Sequence, residues 1–552
     1  MENKSYELGN KSKITLSSFF DIVYQNASVF TSDETTQRLN ESRYFIDYLL
    51  KNNIKVYGLT TGFADLRDCA VSAEQASELS HLILQSHDAG IGESIPHDVT
   101  LGAMVLRAQS LAQGYSGFRN ESLQTLIQMI NSRVIPLIPS TGSLGASGDL
   151  AFLARLGRAM EGQDVPVYYQ GKVIPAHEAL SLEKISPFSP QAKEGLALTN
   201  GTSFMISMTA IAYLRQINVF ENLLILQGLF LNATKGIDAA FMDSIHAVRG
   251  QKGQREVASV LIRFLENSPF IDRKDVQNDY CIRCIPQIMG PKLEILIEQY
   301  PKIIAEMNAV TDNPLIFRRD ELSKDIPQSR KISFNGEDWA VLSGGNFHGE
   351  YLTSIADNLT AANAKVALMI ERQMTYMLNP ARNKKSLPTY LIDSGDQVGL
   401  NSGYMIPHYT ANALTQKICQ LGIPTSIFNI TSANESEDVV SYGASAAQRW
   451  LSQLEHLEHI SHIYLVIVAQ AYGLARKQLG LTFHDFLAED IFNVIQDHFN
   501  HQFPTKGDRS FESRYLAAEE LLNTKKLSQA SELSLLAMIT GAGQLAEIPA
   551  IQ

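Results

Sequence analysis

Four stretches, residues 205–235, 289–308, 347–379 and 444–478, carry apolar residues at helical spacing over lengths well beyond the roughly 11–12 residues of an average helix. Helices that long cannot bury their apolar faces alone, so the second half of the chain is expected to be a bundle of long helices. Strand signals are sparse, and the fold class expected is mainly α. The most apolar stretch, residues 204–231, is interrupted by Arg215, Asn218, Glu221 and Asn222, which predicts a buried helix and not a membrane span. Long helices with wide apolar faces also predict burial against other subunits, hence a homo-oligomer.

Upstream of the bundle, helical spacing recurs over residues 33–51, 72–87 and 150–160, and residues 99–132 predict two helices around Gly114 and Gly117. Residues 57–70 read as a glycine-containing loop. Residues 165–185 predict a hairpin around Gln170 and Gly171. Asp149 precedes the LAFLARLGRAM run as its expected N-cap. The polar stretch 318–340 is expected to be a solvated surface loop. The domains expected are residues 1–204, 205–480 and a C-terminal helical extension, 481–552.

The net charge of −12 over 552 residues argues against nucleic acid as a partner. Four cysteines are too few for a disulfide scaffold. The polar start, MENKSYELGNKSK, lacks the apolar core of a signal peptide, and the cytoplasm is the expected location. Cys281 and Cys284 form a lone C-x-x-C with no second pair or histidine at ligand spacing, so no metal is expected.

Six motifs remain. GSLGASGDL (142–150) holds three small residues, Ala146, Ser147 and Gly148, where the backbone can fold back on itself. No Gly-Lys-Ser/Thr follows, so it is not a phosphate loop. VYGLTTGF (56–63) puts Tyr57 on a loop with Gly58 and Gly62. EGLALTNGTSF (194–204) carries Asn200, and VQNDYCIRCIPQIMG (276–290) carries Gln277, Tyr280 and Arg283. NAVTDNPLIF (308–317) pairs with LSGGNFHGEY (342–351), which holds Phe347 and His348; SANESEDVVSYG (432–443) holds Glu437. Taken singly, each has a plain structural reading: a turn, a packing tyrosine, a surface acid.

Together these motifs resemble the aromatic amino-acid ammonia-lyases and aminomutases over roughly residues 10–480. The resemblance implies a fumarase/aspartase-like helical fold. It also implies that Ala146-Ser147-Gly148 cyclises and loses water to give 4-methylideneimidazol-5-one, an electrophile made from the chain, with no metal or diffusible cofactor. It makes Tyr57 the base for the β-proton, with Gly62 on its loop, and Arg283 the group that grips the substrate carboxylate in a two-pronged contact. Asn200 hydrogen-bonds the ring, Gln277 and Tyr280 line the pocket, Phe347 lies near the ring, and His348 is structural. A homotetramer whose sites draw on three subunits is implied as well. The chain departs from the family at Phe152 for proline, Arg155 for histidine, Ala64 for glycine and Cys281 for serine. Ala64 leaves the Tyr57 loop either stiffer or differently turned.

Substrate choice turns on two places. Ser86-His87 occupies the side-chain pocket site and occurs in histidine lyases and in some bacterial tyrosine lyases. Glu437 matches the histidine enzymes, and a carboxylate can accept an imidazole N–H or balance its cation. The competing reading makes Glu437 one more surface acid beside Glu435 and Asp438. Ser203-Phe204-Met205 and ERQMTYMLN (371–379) lean toward tyrosine and phenylalanine members. Histidine to trans-urocanate ranks first, tyrosine or another arylalanine second, and 2,3-aminomutation third. A non-catalytic helical scaffold is the remote alternative.

Overall fold

The computed structural model describes residues 4–9, 11–271, 275–480 and 485–540. The chain divides into two compact units, each discontinuous in sequence. The first comprises Met1–Ile211, Lys302–Ser354 and Thr425–Gln448; the second comprises Ala212–Pro301, Ile355–Pro424 and Arg449–Gln552.

In the first unit, helix Asp33–Lys51 starts at Ser32, whose Oγ accepts the Thr35 N–H, with Asp33 and Glu34 in the first turn and Lys51 in the last, matching the helix dipole. Its apolar stripe of Leu39, Phe45, Ile46 and Leu49 is buried. Part of what covers that stripe was expected to be a solvated loop. Residues 318–331 are indeed largely exposed or half-buried. Beyond them, strands Leu315–Phe317, Glu337–Leu342 and Ile332–Phe334 form an antiparallel sheet with Glu337–Leu342 in the centre. Trp339, 4 % exposed, packs on Phe45 with ring centroids 4.8 Å apart. Arg38 also pairs with Glu321. The expectation is corrected: most charged residues of the segment stay at the surface, with Glu321 half-buried against Arg38, while Ile332, Phe334 and Trp339 join the core cluster that includes Val56 and Leu59, at the root of the Tyr57 loop. Helix His97–Ala112 is buried over nearly its whole length, and helix Asn120–Asn131 follows, giving the pair expected around Gly114 and Gly117. The expected hairpin pairs Pro166–Tyr169 with Lys172–Pro175.

The second unit holds most of the long helices. Ser203–Ala233, Ile285–Met307, Glu350–Leu378 and Gly443–Leu479 match the expected spans within a few residues. The polar interruptions in the first of these are paired: Arg215 makes a two-pronged contact with Glu458, Asn222 Nδ2 donates to the Leu522 carbonyl at 2.8 Å, and Glu221 meets Lys525 at 3.1 Å. Burying these groups is tolerated because each has its partner. Among the described residues, no helix is long and apolar enough to cross a membrane. The short helix Tyr280–Arg283 is pinned to the bundle by Gln373, whose Nε2 donates to the Cys281 carbonyl at 2.8 Å and to Gln227 Oε1 at 2.7 Å. Four helices, Leu487–His498, Glu512–Leu522, Lys526–Ser531 and Leu535–Thr540, make up the described part of the C-terminal region.

Candidate active site

The Ala-Ser-Gly turn directly precedes helix Leu150–Met160. Ser147 (φ +54°) and Gly148 (φ +83°) both lie in the left-handed region, where two successive residues fold the chain back sharply. A Cβ on Gly148 would run into the carbonyl of Gly201, so glycine is required there. The Gly201 N–H donates to the Ser147 carbonyl at 3.2 Å, and the Asp149 N–H donates to the Gly201 carbonyl at 2.7 Å. This strand-like clasp holds the turn against the Asn200-Gly201 segment.

Asp149 occupies the N-cap position expected of it, but its side chain does not cap that helix. Its Oδ2 instead accepts the N–H groups of Phe204 and Met205, at 2.8 and 3.0 Å, in the first turn of helix Ser203–Ala233. One carboxylate faces two helix N-termini, and the buried donors of the second take it. Complete burial pushes its carboxyl up to about 7, against the pull of the Met205 N–H, the Ser143 hydroxyl, the Phe204 N–H and Arg107.

Behind the turn lies a set of buried charges. Lys193, 1 % exposed, precedes helix Glu194–Thr199 and pairs with Asp312 at 2.8 Å; both side chains are fully buried. Burial pulls the Lys193 ammonium down and Asp312 pushes it back up. Removing one member of such a pair typically costs about 3–5 kcal/mol, since it strands a charge. Arg107, also fully buried, donates to the carbonyls of Asn200 and Ala197 at 2.9 and 2.5 Å. Asn200 Nδ2 donates to the Asn313 carbonyl at 3.0 Å and to Asp312 Oδ1 at 3.4 Å, while its Oδ1 is buried with no hydrogen-bond partner.

Opposite the turn stands the Tyr57 loop. Tyr57 is half-buried, and its hydroxyl accepts the Ala64 N–H at 3.0 Å. Burial pushes the phenol up from its usual value; the Ala64 N–H pulls it down, Glu437 pushes it up and Arg67 pulls it down. Ala64 has φ +48°, so it keeps the left-handed conformation that suits a glycine there. Two contacts tie this loop to residues 434–436: Arg67 Nη1 donates to Ser436 Oγ at 3.2 Å, and Asn434 Nδ2 donates to Asp65 Oδ2 at 2.6 Å. Ser432 and Glu437 close their own turn, with Ser432 Oγ donating to Glu437 Oε2 at 2.8 Å.

These elements enclose a cavity of about 290 Å³ lined by Tyr57, Arg67, Ala146, Ser147, Asn200 and Glu437, together with Phe347 and His348. That volume sits at the small end of ligand sites, roughly 300–1,000 Å³. His348 Nε2 also reaches the Val439 carbonyl at 3.2 Å. Glu437 is half-buried on the cavity wall; of its acidic neighbours, Glu435 is exposed and absent from the lining, and Asp438 is exposed and part of it.

Gly62 is buried against Leu66, and Ser86 and His87 end helix Ala76–His87; none lines the cavity. Burial pulls the His87 imidazole down, opposed by the Ile83 backbone and by the charge of Glu437. Gln277, Tyr280 and Arg283 belong to the second unit. Gln277 is exposed, Tyr280 is 71 % exposed, and the Arg283 guanidinium lies over the Tyr280 ring, 4.6 Å from its centroid. Arg283 Nε donates to the Asn278 carbonyl at 3.0 Å. Burial pushes the Cys281 thiol up to about 11, and no cluster among the described residues is arranged to hold a metal.

Sequence reasoning missed Arg67, Lys193 and Asp312. Arg67 was within reach, as a lone cation on the loop that carries Tyr57. Lys193, by contrast, looked like any polar residue ahead of a helix.

The family model for aromatic amino acid lyases matches residues 14–489. The chain belongs to the aromatic amino acid lyases. It is therefore an ammonia-lyase, an enzyme that breaks a carbon–nitrogen bond. A relative from Natranaerobius thermophilus named histidine ammonia-lyase is 38 % identical over 453 residues, which cover 82 % of this chain and 85 % of that protein. The crystal structure of histidine ammonia-lyase from Trypanosoma cruzi superposes with a TM-score of 0.83 at 27 % identity, covering 98 % of this chain and 99 % of the other. Tyrosine aminomutase from Streptomyces globisporus gives a TM-score of 0.81 at 25 % identity, covering 95 % and 98 %. In this lyase, helical architecture and family agree with what the motifs implied.

Proposed function

We propose that this lyase converts L-histidine to trans-urocanate and ammonia. The observation that carries the choice of substrate is Glu437: a half-buried carboxylate on the wall of the same cavity as Tyr57 and Ser147. A carboxylate in such a wall accepts an imidazole N–H, and the same charge against a phenyl ring would be desolvated without return. The curated relatives named as histidine ammonia-lyases support the reading.

The residues of the turn fit the self-made ring: left-handed Ser147 and Gly148 double the chain back, and the Gly148 position admits no Cβ. 4-Methylideneimidazol-5-one formed from Ala146-Ser147-Gly148 supplies an electrophilic carbon, which no unmodified side chain offers. The chain's own residues do the rest. Tyr57 Oη takes the β-proton, for which the phenol must first be ionised; Arg67 favours that anion and Glu437 opposes it. Phe347 and His348 form part of the cavity wall. Arg283 binds the substrate carboxylate, and in line with the homotetramer of shared sites that the family resemblance implies, we assign that role to the Arg283 of another copy. A monomer is then inactive.

The test is a spectrophotometric screen of purified protein with L-histidine, L-tyrosine and L-phenylalanine, with product analysis for β-amino acids. Formation of urocanate with at least about tenfold higher kcat/KM than for either arylalanine supports the reading. Preference for tyrosine, or accumulation of a β-amino acid, selects one of the other two activities.

A further inference from the structure

Three buried side chains of the second unit close a ring of hydrogen bonds. Gln373 Nε2 donates to Gln227 Oε1 at 2.7 Å, Gln227 Nε2 donates to the Tyr464 hydroxyl at 3.2 Å, and that hydroxyl donates back to Gln373 Oε1 at 2.7 Å. Each residue comes from a different long helix, Ser203–Ala233, Glu350–Leu378 or Gly443–Leu479, and all three are fully buried. Burial pushes the Tyr464 phenol well up, so its proton stays in place to complete the ring.

One donor points out of the ring. The second N–H of Gln373 meets the Cys281 carbonyl at 2.8 Å, in the helix Tyr280–Arg283. That helix is a single turn, too short to be stable by itself, and its last-turn carbonyls need donors from outside. The Arg283 guanidinium lies on the ring of Tyr280, and its Nε donates to the Asn278 carbonyl, so it travels with the turn that carries it. Run in the opposite sense, the ring would still satisfy its own three members, with Tyr464 donating to Gln227. Gln373 would then set its oxygen against the Cys281 carbonyl, two acceptors face to face in a buried place. The sense observed is the one that grips the Arg283 turn.

We propose that the Gln227–Gln373–Tyr464 ring is a positioning device that holds the Tyr280–Arg283 turn where Arg283 can grip the substrate carboxylate, so that Gln373 governs affinity more than the rate of the chemical step. None of the three touches substrate; they act through the Cys281 carbonyl. The inference rests on the reading of Arg283 as the carboxylate-binding group.

The test is a double-mutant cycle on the assembled protein, read by steady-state kinetics with histidine and by calorimetric binding of imidazolepropionate, a carboxylate with no amine to lose. Gln373→Met keeps a side chain of similar length and removes its hydrogen bonds. The expected result is a KM raised about fivefold or more with kcat within about threefold, and imidazolepropionate weakened about fivefold or more. In an Arg283→Met background the same substitution weakens imidazolepropionate by less than about twofold, because the group it positions is gone. Tyr464→Phe removes only the O–H that closes the ring. It should weaken imidazolepropionate about two- to fivefold, with no further loss when combined with Gln373→Met.

Imidazolepropionate binding unchanged by Arg283→Met alone overturns the assignment of Arg283, and this inference with it. Where Arg283→Met does weaken the ligand, three results sink the inference by itself: equal losses from Gln373→Met in both backgrounds, a fall in kcat with KM unchanged, or no loss at all. Should Gln373→Met fail to assemble, Tyr464→Phe runs through the same cycle. Failure of both to assemble would show a general structural role and overturn the inference.

Discussion

The Ala64 N–H and the Tyr57 hydroxyl, seven positions apart in sequence, form a 3.0 Å hydrogen bond, and Ala64 makes it from a left-handed conformation, φ +48°. A left-handed alanine carries about 1–2 kcal/mol of strain that glycine would not. Ala64→Gly relieves it, while the gain in unfolded-chain entropy returns up to about 1 kcal/mol. We expect thermal stability to rise by about 0–1.6 kcal/mol, with kcat within about threefold of wild type because the donor is a backbone group and survives. Calorimetry and steady-state kinetics check both. A large fall in kcat would mean that the stiffness contributed by Ala64 itself is needed to hold Tyr57 in place.

Arg67 is the residue on that loop with a bearing on proton transfer. It favours the Tyr57 anion, and it ties the loop to Ser436. Removing it in Arg67→Met lifts the Tyr57 phenol further. The sign follows directly: a base with a higher pKa is less ionised at a given pH, so the rising limb of kcat/KM moves to higher pH. At neutral pH, kcat/KM should fall about three- to tenfold. Arg67 is exposed, so the electrostatic part of the effect should shrink as salt rises. A pH profile unmoved by the substitution removes Arg67 from this role.

Glu437 pushes the same phenol the other way and also acts on His87. Glu437→Gln therefore has two separable consequences. The Tyr57 phenol comes down and the rising limb shifts to lower pH, while the imidazole loses its charged acceptor. We expect kcat/KM for histidine to fall by about 10²-fold or more, with arylalanines falling less or gaining. The ratio of the two, measured across pH, distinguishes substrate recognition from a general loss of activity. An unchanged ratio makes Glu437 electrostatic only.

The elements that sequence reading recovered best are those set by local periodicity. The long helices and the hairpin around Gln170-Gly171 have spacing or turn chemistry that acts within a few residues. What it missed depends on partners far away in the chain. Asp149 precedes a helix, but the donors it satisfies belong to the helix that starts at Ser203, and no local rule ranks one N-terminus over another. Residues 318–340 look solvated when their charges are counted, yet Ile332, Phe334 and Trp339 alternate onto the core face of a sheet. The motif residues Tyr57, Ser147, Asn200, Phe347 and Glu437 come together because loops from distant segments meet within one unit. Lys193 was not legible, since nothing in a lysine's neighbours announces that Asp312, 119 residues away, is buried against it.

The reading as a whole rests on Ser147. Ser147→Ala keeps a residue able to hold φ +54° at modest strain, and the clasp through the Ser147 carbonyl and Gly201 is made by backbone groups that remain. The folded variant should therefore melt within about 1–2 kcal/mol of wild type. It lacks the hydroxyl whose loss makes the methylidene, so its intact mass should not show the loss of two waters, while wild type should be lighter by two waters. Turnover should fall by roughly 10³-fold or more, since binding and orientation by Arg283 and Glu437 persist but the electrophile does not. Mass spectrometry and kinetics on the same preparation separate the two effects. Turnover within about tenfold of wild type in a variant shown by mass to be uncyclised would mean that elimination proceeds without the ring.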